Sequence, residues 1–201
     1  MDIGTVKDAE MSPADLHKGS GFAVGNGKEH WYIAECKPTK ERTIRTMLEK
    51  ADYQVYVASR IEEKVYKSRN RYKKETVVIP GKVFVHTDER KLMPIMLEYA
   101  AVYRFMVNRT AKGNPFAYVP SHEMMQLQYI LGKAENPVLL TTADLKVDQR
   151  VKVMRGPLSG LEGWYYKQGH NSYVVIKVTM GTNHYVYTEI SIEDIQPCDS
   201  I

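Results

Sequence analysis

Gln149–Trp164 reads QRVKVMRGPLSGLEGW, and this stretch decides how the C-terminal part of the chain folds. Val151 and Val153 alternate with Arg150 and Lys152, the period of a strand with one apolar face. The chain must then turn at Gly156-Pro157 and bend again at Gly160 and Gly163, where glycine takes backbone angles that other residues resist. The alternation returns at Glu162 to Tyr166, Ser172 to Val178 and His184 to Glu189, with Gly169 and Gly181 between segments. From Asp148 onward no helical period is written. Short alternating strands separated by glycines predict a small all-β barrel over residues 147–201, near the lower size limit for a self-standing core.

Upstream, Lys133 to Lys146 carries Pro137 and few periodic signals, so residues 133–146 read as a linker. Before it, residues 30–132 alternate between strand and helix patterns. Trp31 to Cys36 (WYIAEC) is a short aromatic and apolar strand. Thr39 is placed to cap a helix whose buried stripe is Ile44, Met47, Leu48 and Ala51. Tyr53 to Ser59 alternates as a further strand. Glu62 to Glu75 is dense in charge with Tyr66 and Tyr72 interleaved, which suits a solvated hairpin. Thr76 to His86 (TVVIPGKVFVH) is two β-branched runs broken at Pro80-Gly81, either one kinked strand or two short ones. Lys91 to Ala101 reads as a second helix and Tyr103 to Val107 as a strand. Ser121 can cap a third helix with a stripe of Met124, Leu127 and Leu131, closed by Gly132. The expectation is an α/β (α+β) domain with an antiparallel sheet flanked by helices. Residues 1–29 are polar and without period, including Gly19-Ser20-Gly21 and Gly25-Asn26-Gly27, and read as a flexible tail.

Composition limits the functions. The 28 Lys+Arg against 24 Asp+Glu leave a net charge of +4, which permits contact with nucleic acid without demanding it. Cys36 and Cys198 form no C-x-x-C pair, and the six histidines show no metal-ligand spacing. No phosphate-binding glycine loop and no nucleophile motif appears. The expectation is a protein without catalysis, metal or cofactor. With no membrane-spanning run and no secretory leader in the sequence, it is read as a soluble cytoplasmic chain.

QRVKVMRGPLSGLEGW resembles the KOW motif, whose domains are SH3-like barrels found in elongation factors and ribosomal proteins. WYIAECKP at Trp31–Pro38, VVIPGKVFVH at Val77–His86, VYRFMVNR at Val102–Arg109 and VPSHEM at Val119–Met124 follow in the order of the N-terminal (NGN) domain of the NusG family of transcription factors. The two modules in this order span residues 31–197. One departure is Lys82, where the family has an aromatic residue after Pro-Gly.

The resemblance implies an elongation or antitermination factor that binds RNA polymerase through Ile79, Pro80, Lys82, Phe84 and Phe105. Taken as residues alone, Ile79, Phe84 and Phe105 read as ordinary core, the commoner fate of such residues. Lys37, Lys40 and Arg42 would touch non-template DNA or leader RNA, the plainer reading being a solvated helix face. In the barrel Gly156, Pro157, Gly160 and Gly163 would shape a loop that presents Leu161 to a ribosomal protein or a termination factor. A monomer is the family expectation. The polar N-terminal extension, VIPGKVFV and YRFMVNR resemble the UpxY-type antiterminators of capsular polysaccharide operons. The general housekeeping NusG and an RNA- or ribosome-binding KOW protein stand as alternatives.

Overall fold

The computed structural model describes residues 28–65, 71–113 and 115–198. The expected tail lies outside these residues except for Lys28 and Glu29, and so does Tyr66 of the hairpin. The expected α+β class is what the chain adopts, with antiparallel sheets throughout.

Strand β1 (Glu29–Cys36) runs through the middle of the N-terminal sheet. It pairs with β5 (Lys82–Asp88) on one side and with β6 (Val102–Phe105) and β7 (Tyr118–Val119) on the other, while β2 (Gln54–Tyr56) extends the sheet beyond β5. The register sets Ile33 opposite Phe84 and Ala34 opposite Val83. Alternate residues therefore feed opposite faces. Tyr32, Ala34, Cys36, Val83 and Val85 face Ile44 and Leu48 of α1 (Glu41–Lys50) and Leu92 and Ile95 of α2 (Leu92–Glu98). Trp31, Ile33 and Phe84 face Met124, Leu127, Ile130 and Leu131 of α3 (Ser121–Lys133).

The charged stretch forms the expected hairpin, β3 (Ser59–Val65) against β4 (Arg71–Val77), a two-stranded sheet of its own. The Pro80-Gly81 break resolves as two strands, with β4 ending before the bend and β5 starting after it. Gly81 sits at φ +73, and a Cβ there would come within 3.1 Å of the Cys36 carbonyl. Glycine is therefore required at this bend.

The C-terminal part is a six-stranded antiparallel sheet. Its order is β13 (Ile195–Pro197), β9 (Arg150–Val153), β10 (Glu162–Gln168), β11 (Asn171–Met180), β12 (Thr182–Glu189) and β8 (Val138–Thr141). Val151, Val153, Ile176, Val178 and Val186 are buried, as the alternation predicted.

Several local expectations are corrected. Thr39 lies in the left-handed region at φ 80, and Lys40 precedes the helix with no side-chain cap. The helix start is instead held by the buried Glu41 carboxylate, which accepts the Gly81 N–H at 2.7 Å. Ile44 and Leu48 are buried, but Met47 is exposed and Ala51 is the C-cap. Ser121 is the first helical residue rather than the cap, and the helix runs past Gly132 to Lys133. Residues 138–141 of the expected linker are a strand paired with β12.

Candidate functional site

The residues expected to meet polymerase divide between the two faces of the N-terminal sheet. Ile79 and Phe84 are 2% and 0% exposed and belong to the cluster that contains α3 and the C-terminal strands. Phe105 is as deeply buried, but opposite Ala34 on the other face, with its ring edge-on to Phe116. Pro80 is exposed. The five therefore form no single open patch in this arrangement. Tyr56 packs beside Phe84 with ring centroids 6.3 Å apart, and burial pushes its hydroxyl up to about 12.

Lys82 does not extend its ammonium into water. Its Nζ donates to Glu35 Oε1 at 3.1 Å, and Arg104 donates to Glu35 Oε2 from the next strand. Burial by itself would raise Glu35, but the hydrogen bonds from Arg104 and Lys82 outweigh it and hold the carboxyl below its usual range. Glu35 escaped the sequence reading, although a carboxylate inside the apolar run WYIAEC was its signal. A cleft of about 260 Å³ opens beside this triad, lined by Arg104, Phe105, Met106, Met180 and Thr182.

The C-terminal sheet lies over the face that holds Trp31, Ile33 and Phe84. Glu123, buried in the first turn of α3, accepts the Thr179 N–H at 2.6 Å and its hydroxyl at 3.1 Å. Gln126 Nε2 donates to the Glu162 carbonyl at 2.9 Å and the Tyr129 hydroxyl to the Ser159 carbonyl at 2.7 Å. At the other end the Gly181 turn rests near the Val107 carbonyl and the Ala117 Cβ. Leu161, expected to project from its loop, is 4% exposed and packs in the shared cluster, because α3 passes over the loop. Gly156 and Gly160 have φ of 79 and 92 and turn the loop, with Pro157 exposed between them. Gly163 is different: a Cβ would stand 2.5 Å from the Val175 carbonyl, so only glycine lets β10 approach β11.

Of the basic candidates, Lys37 and Lys40 are exposed. Arg42 is engaged, its Nε 3.0 Å from Glu75 Oε2 and its Nη2 donating to the Glu75 carbonyl. Arg45 and Ser59 also donate to Glu75, at 3.3 and 2.5 Å. The Ser59 hydrogen bond, opposed by burial and reinforced by the arginines, holds Glu75 below its usual range. Glu75 thus ties the hairpin to α1, and Arg42 serves that tie.

Cys36 is buried, and burial together with Glu41 pushes its thiol up to about 11 against the pull of Lys82. It stays a thiol near neutral pH, unsuited to nucleophilic attack. Among the described residues no three His, Cys, Asp or Glu gather as metal ligands, and no helix is long and apolar enough to cross a membrane.

The family model described as Transcription termination factor nusG matches residues 29–128. No curated protein matches the chain. Among solved structures, one described as domain interaction in Thermotoga maritima NusG is similar at 17% identity, covering 86% of this chain and 98% of that one, with a TM-score of 0.42. An MjSpt4:Spt5 complex is similar at 12% identity, covering 85% of this chain and 99% of that one, with a TM-score of 0.27. The stretch that matches the NusG family, residues 29–128, holds the whole five-stranded sheet and the first half of α3.

Proposed function

We propose that the chain is a transcription elongation factor that docks on RNA polymerase through the Trp31–Ile33–Phe84 face of its N-terminal sheet and suppresses pausing or termination. The observation that carries this reading is the NusG-family match over that sheet. Its second apolar face is closed by α3 and by strands from the far end of the chain. Docking at Ile79 and Phe84 requires the C-terminal sheet to move off, so that 30–132 and 147–201 act as two units. Polymerase that binds the open form better than the closed one shifts the population toward it. Pro80 and the Lys82–Glu35–Arg104 triad then stand at the margin of the uncovered face and orient the contact. Phe105, on the opposite face, supports the sheet from behind.

The exposed Lys37 and Lys40 would contact non-template DNA or a leader RNA, and phosphate contacts of this kind position a protein without reading sequence. The C-terminal unit is a KOW domain, and once released it presents Leu161 to a ribosomal protein or termination factor. The target is a capsular polysaccharide operon, a reading that rests on the UpxY-type resemblance. Binding of the purified protein to a reconstituted elongation complex is the test, with folded Phe84→Ala alongside. Loss of binding in the variant is expected. No binding by the parent, with affinity for ribosomes instead, would sink the reading. Gene deletion should lower expression of one operon; a genome-wide change would point to a general factor.

A further inference from the structure

Both units enclose the cleft of about 260 Å³ that lies beside the Lys82–Glu35–Arg104 triad. The N-terminal unit brings Arg104 and Phe105 from β6, Met106 and Val107 just after it, and the Arg109–Thr110 turn. The C-terminal unit brings Met180 from the end of β11, then Gly181 and Thr182 where the chain turns into β12. That turn comes close. A Cβ on Gly181, at φ +71, would stand 3.3 Å from the Val107 carbonyl and 3.7 Å from Met106 Cε. The Arg109 turn is fixed as well. Asn108 Oδ1 accepts the Thr110 N–H at 3.1 Å and the Thr110 hydroxyl at 2.7 Å, and the Asn108 N–H donates to the Pro115 carbonyl at 2.8 Å. Both walls are therefore in place before a ligand arrives, which lowers the cost of binding one.

The lining divides into an apolar wall and a cationic rim. Phe105 and Met180 are buried, and Met106 and Val107 are half-buried beside them. Methionine side chains adapt to the shape set against them. Glu35 is the one acid among the described lining residues, and both its oxygens are taken, Oε1 by Lys82 at 3.1 Å and Oε2 by Arg104. Arg104 spends its Nε on that bond, which leaves both its terminal amino groups for another acceptor. Arg109 is exposed and meets no carboxylate among the described residues. Three cations thus stand against one carboxylate, a surplus of two positive charges beside an apolar wall. A cleft lined mainly by one sign of charge draws in the other.

We propose that this cleft binds a small organic anion, an aromatic ring carrying one carboxylate or phosphate, with the ring against Phe105, Met106 and Met180 and the charged group between Arg104 and Arg109. Volume sets the size. Pockets for drug-sized ligands start at about 300 Å³, so the occupant is one ring with a short charged arm. An arginine fork matches the oxygens of carboxylate and phosphate alike. Thr182 offers a hydroxyl from the other unit, so the bound anion touches both. A ligand that binds only where the two walls meet stabilises their closed arrangement by mass action. Under the docking reading, an occupied cleft would keep the Phe84 face covered. The binding itself needs no polymerase, so the two readings fail separately.

Phenyl phosphate and phenylacetate share a ring and differ in the charged group, and benzyl alcohol is their neutral counterpart. Each is titrated into the full chain labelled at its methionine methyls and followed by NMR, with Met106→Leu and Met180→Leu assigning the two signals. An anion should move Met106 and Met180 together with a Kd of about 1 mM, an ordinary value for about ten heavy atoms. Met93 and Met154, exposed on α2 and after β9, should stay in place. Benzyl alcohol should bind about tenfold more weakly or worse, and so should the anions to Arg109→Gln, which loses a charge-assisted contact. Circular dichroism establishes that this variant is folded, and Arg109→Lys should fall between it and the parent. The Thr179 amide, held by Glu123 where the units meet, should exchange about tenfold more slowly at about nine times the Kd. The tighter anion names the charged group, and equal affinity makes the site one for either. Met106 and Met180 unmoved by both anions, benzyl alcohol binding as well as they do, or Arg109→Gln binding like the parent would overturn the anion site. Met106 moving alone, with Thr179 exchange unchanged, would overturn the bridging of the units.

Discussion

The two faces of the N-terminal sheet are built from the same strands and closed in different ways. Tyr32, Ala34, Val83 and Val85 are covered by α1 and α2, all within one continuous part of the chain. Trp31, Ile33 and Phe84 are covered by α3 and by strands that begin beyond residue 149. The first closure is local and costs little loop entropy; the second joins distant segments. Their rims differ too. On the first face Glu41 clamps the Gly81 bend. On the second, Glu123, Gln126 and Tyr129 bond to main-chain groups of the other unit, groups that water would satisfy if the units parted. One face is closed within the N-terminal unit, and the other has the make-up of a seam.

Phe84→Ala is the strongest way to break that contrast, at a cost of about 3–5 kcal/mol if the seam stays closed. Trp31 and Trp164 lie one in each sheet, so urea unfolding followed by their emission in single-tryptophan variants separates the two units. A seam predicts that the substitution moves the Trp31 transition and leaves that of Trp164 nearly in place. Coincident transitions that shift together would make the molecule one cooperative core and abolish the distinction. Gly163→Ala should cost about 1–3 kcal/mol, the penalty of overpacking a tight contact, and should be felt first in the Trp164 transition. Glu123→Ala strips the Thr179 N–H of its acceptor and should weaken closure by about 1–2 kcal/mol. Faster hydrogen exchange at the Thr179 amide than at the Gly81 amide would register it, whereas equal rates would deny Glu123 a part in the seam.

The smallest effect is expected from pH. His184 is buried in β12, and burial, helped by Lys82 and opposed by its bond to the Thr182 carbonyl, keeps the imidazole below its usual 6.5. The unfolded chain binds the proton first, so this group's contribution is complete above 6.5 and shrinks as pH falls below it toward the folded value. Urea midpoints measured at about pH 7.5 and about pH 5.5 should differ, and His184→Gln should reduce the difference. An unchanged difference in that variant would assign the pH dependence to other groups.

Strand periodicity was legible because alternation is a local property: Val151 and Val153, or Val83 and Val85, announce their buried side within a few residues. The α3 stripe of Met124, Leu127 and Leu131 was legible for the same reason. Other features are set at a distance. Val138–Thr141 (VLLT) has no alternation and follows a proline, and it becomes a strand only because β12 offers it an edge. Glu41 and Glu123 look like ordinary first-turn acids, yet each is buried against an N–H more than 35 positions away. Leu161 has the sequence of a loop tip but lies under α3. Lys82 marked a departure that the sequence exposed, while its neutralisation by Glu35 depends on strand register.

The pairing of β8 with β12 also sets the length of a leash. While β8 stays zipped, residues 134–137 alone connect α3 to the C-terminal sheet, a reach of about 14 Å when extended. A released C-terminal unit on so short a tether remains at an effective concentration on the order of millimolar beside the face it uncovered. It would reclose soon after a partner departs. Should β8 peel away, residues 134–149 become the tether and the reach grows to about 55 Å, enough to search for a second partner on another large assembly. Under the docking reading, this four-residue strand at the sheet edge would work as a reel, deciding whether a freed unit only lifts or travels.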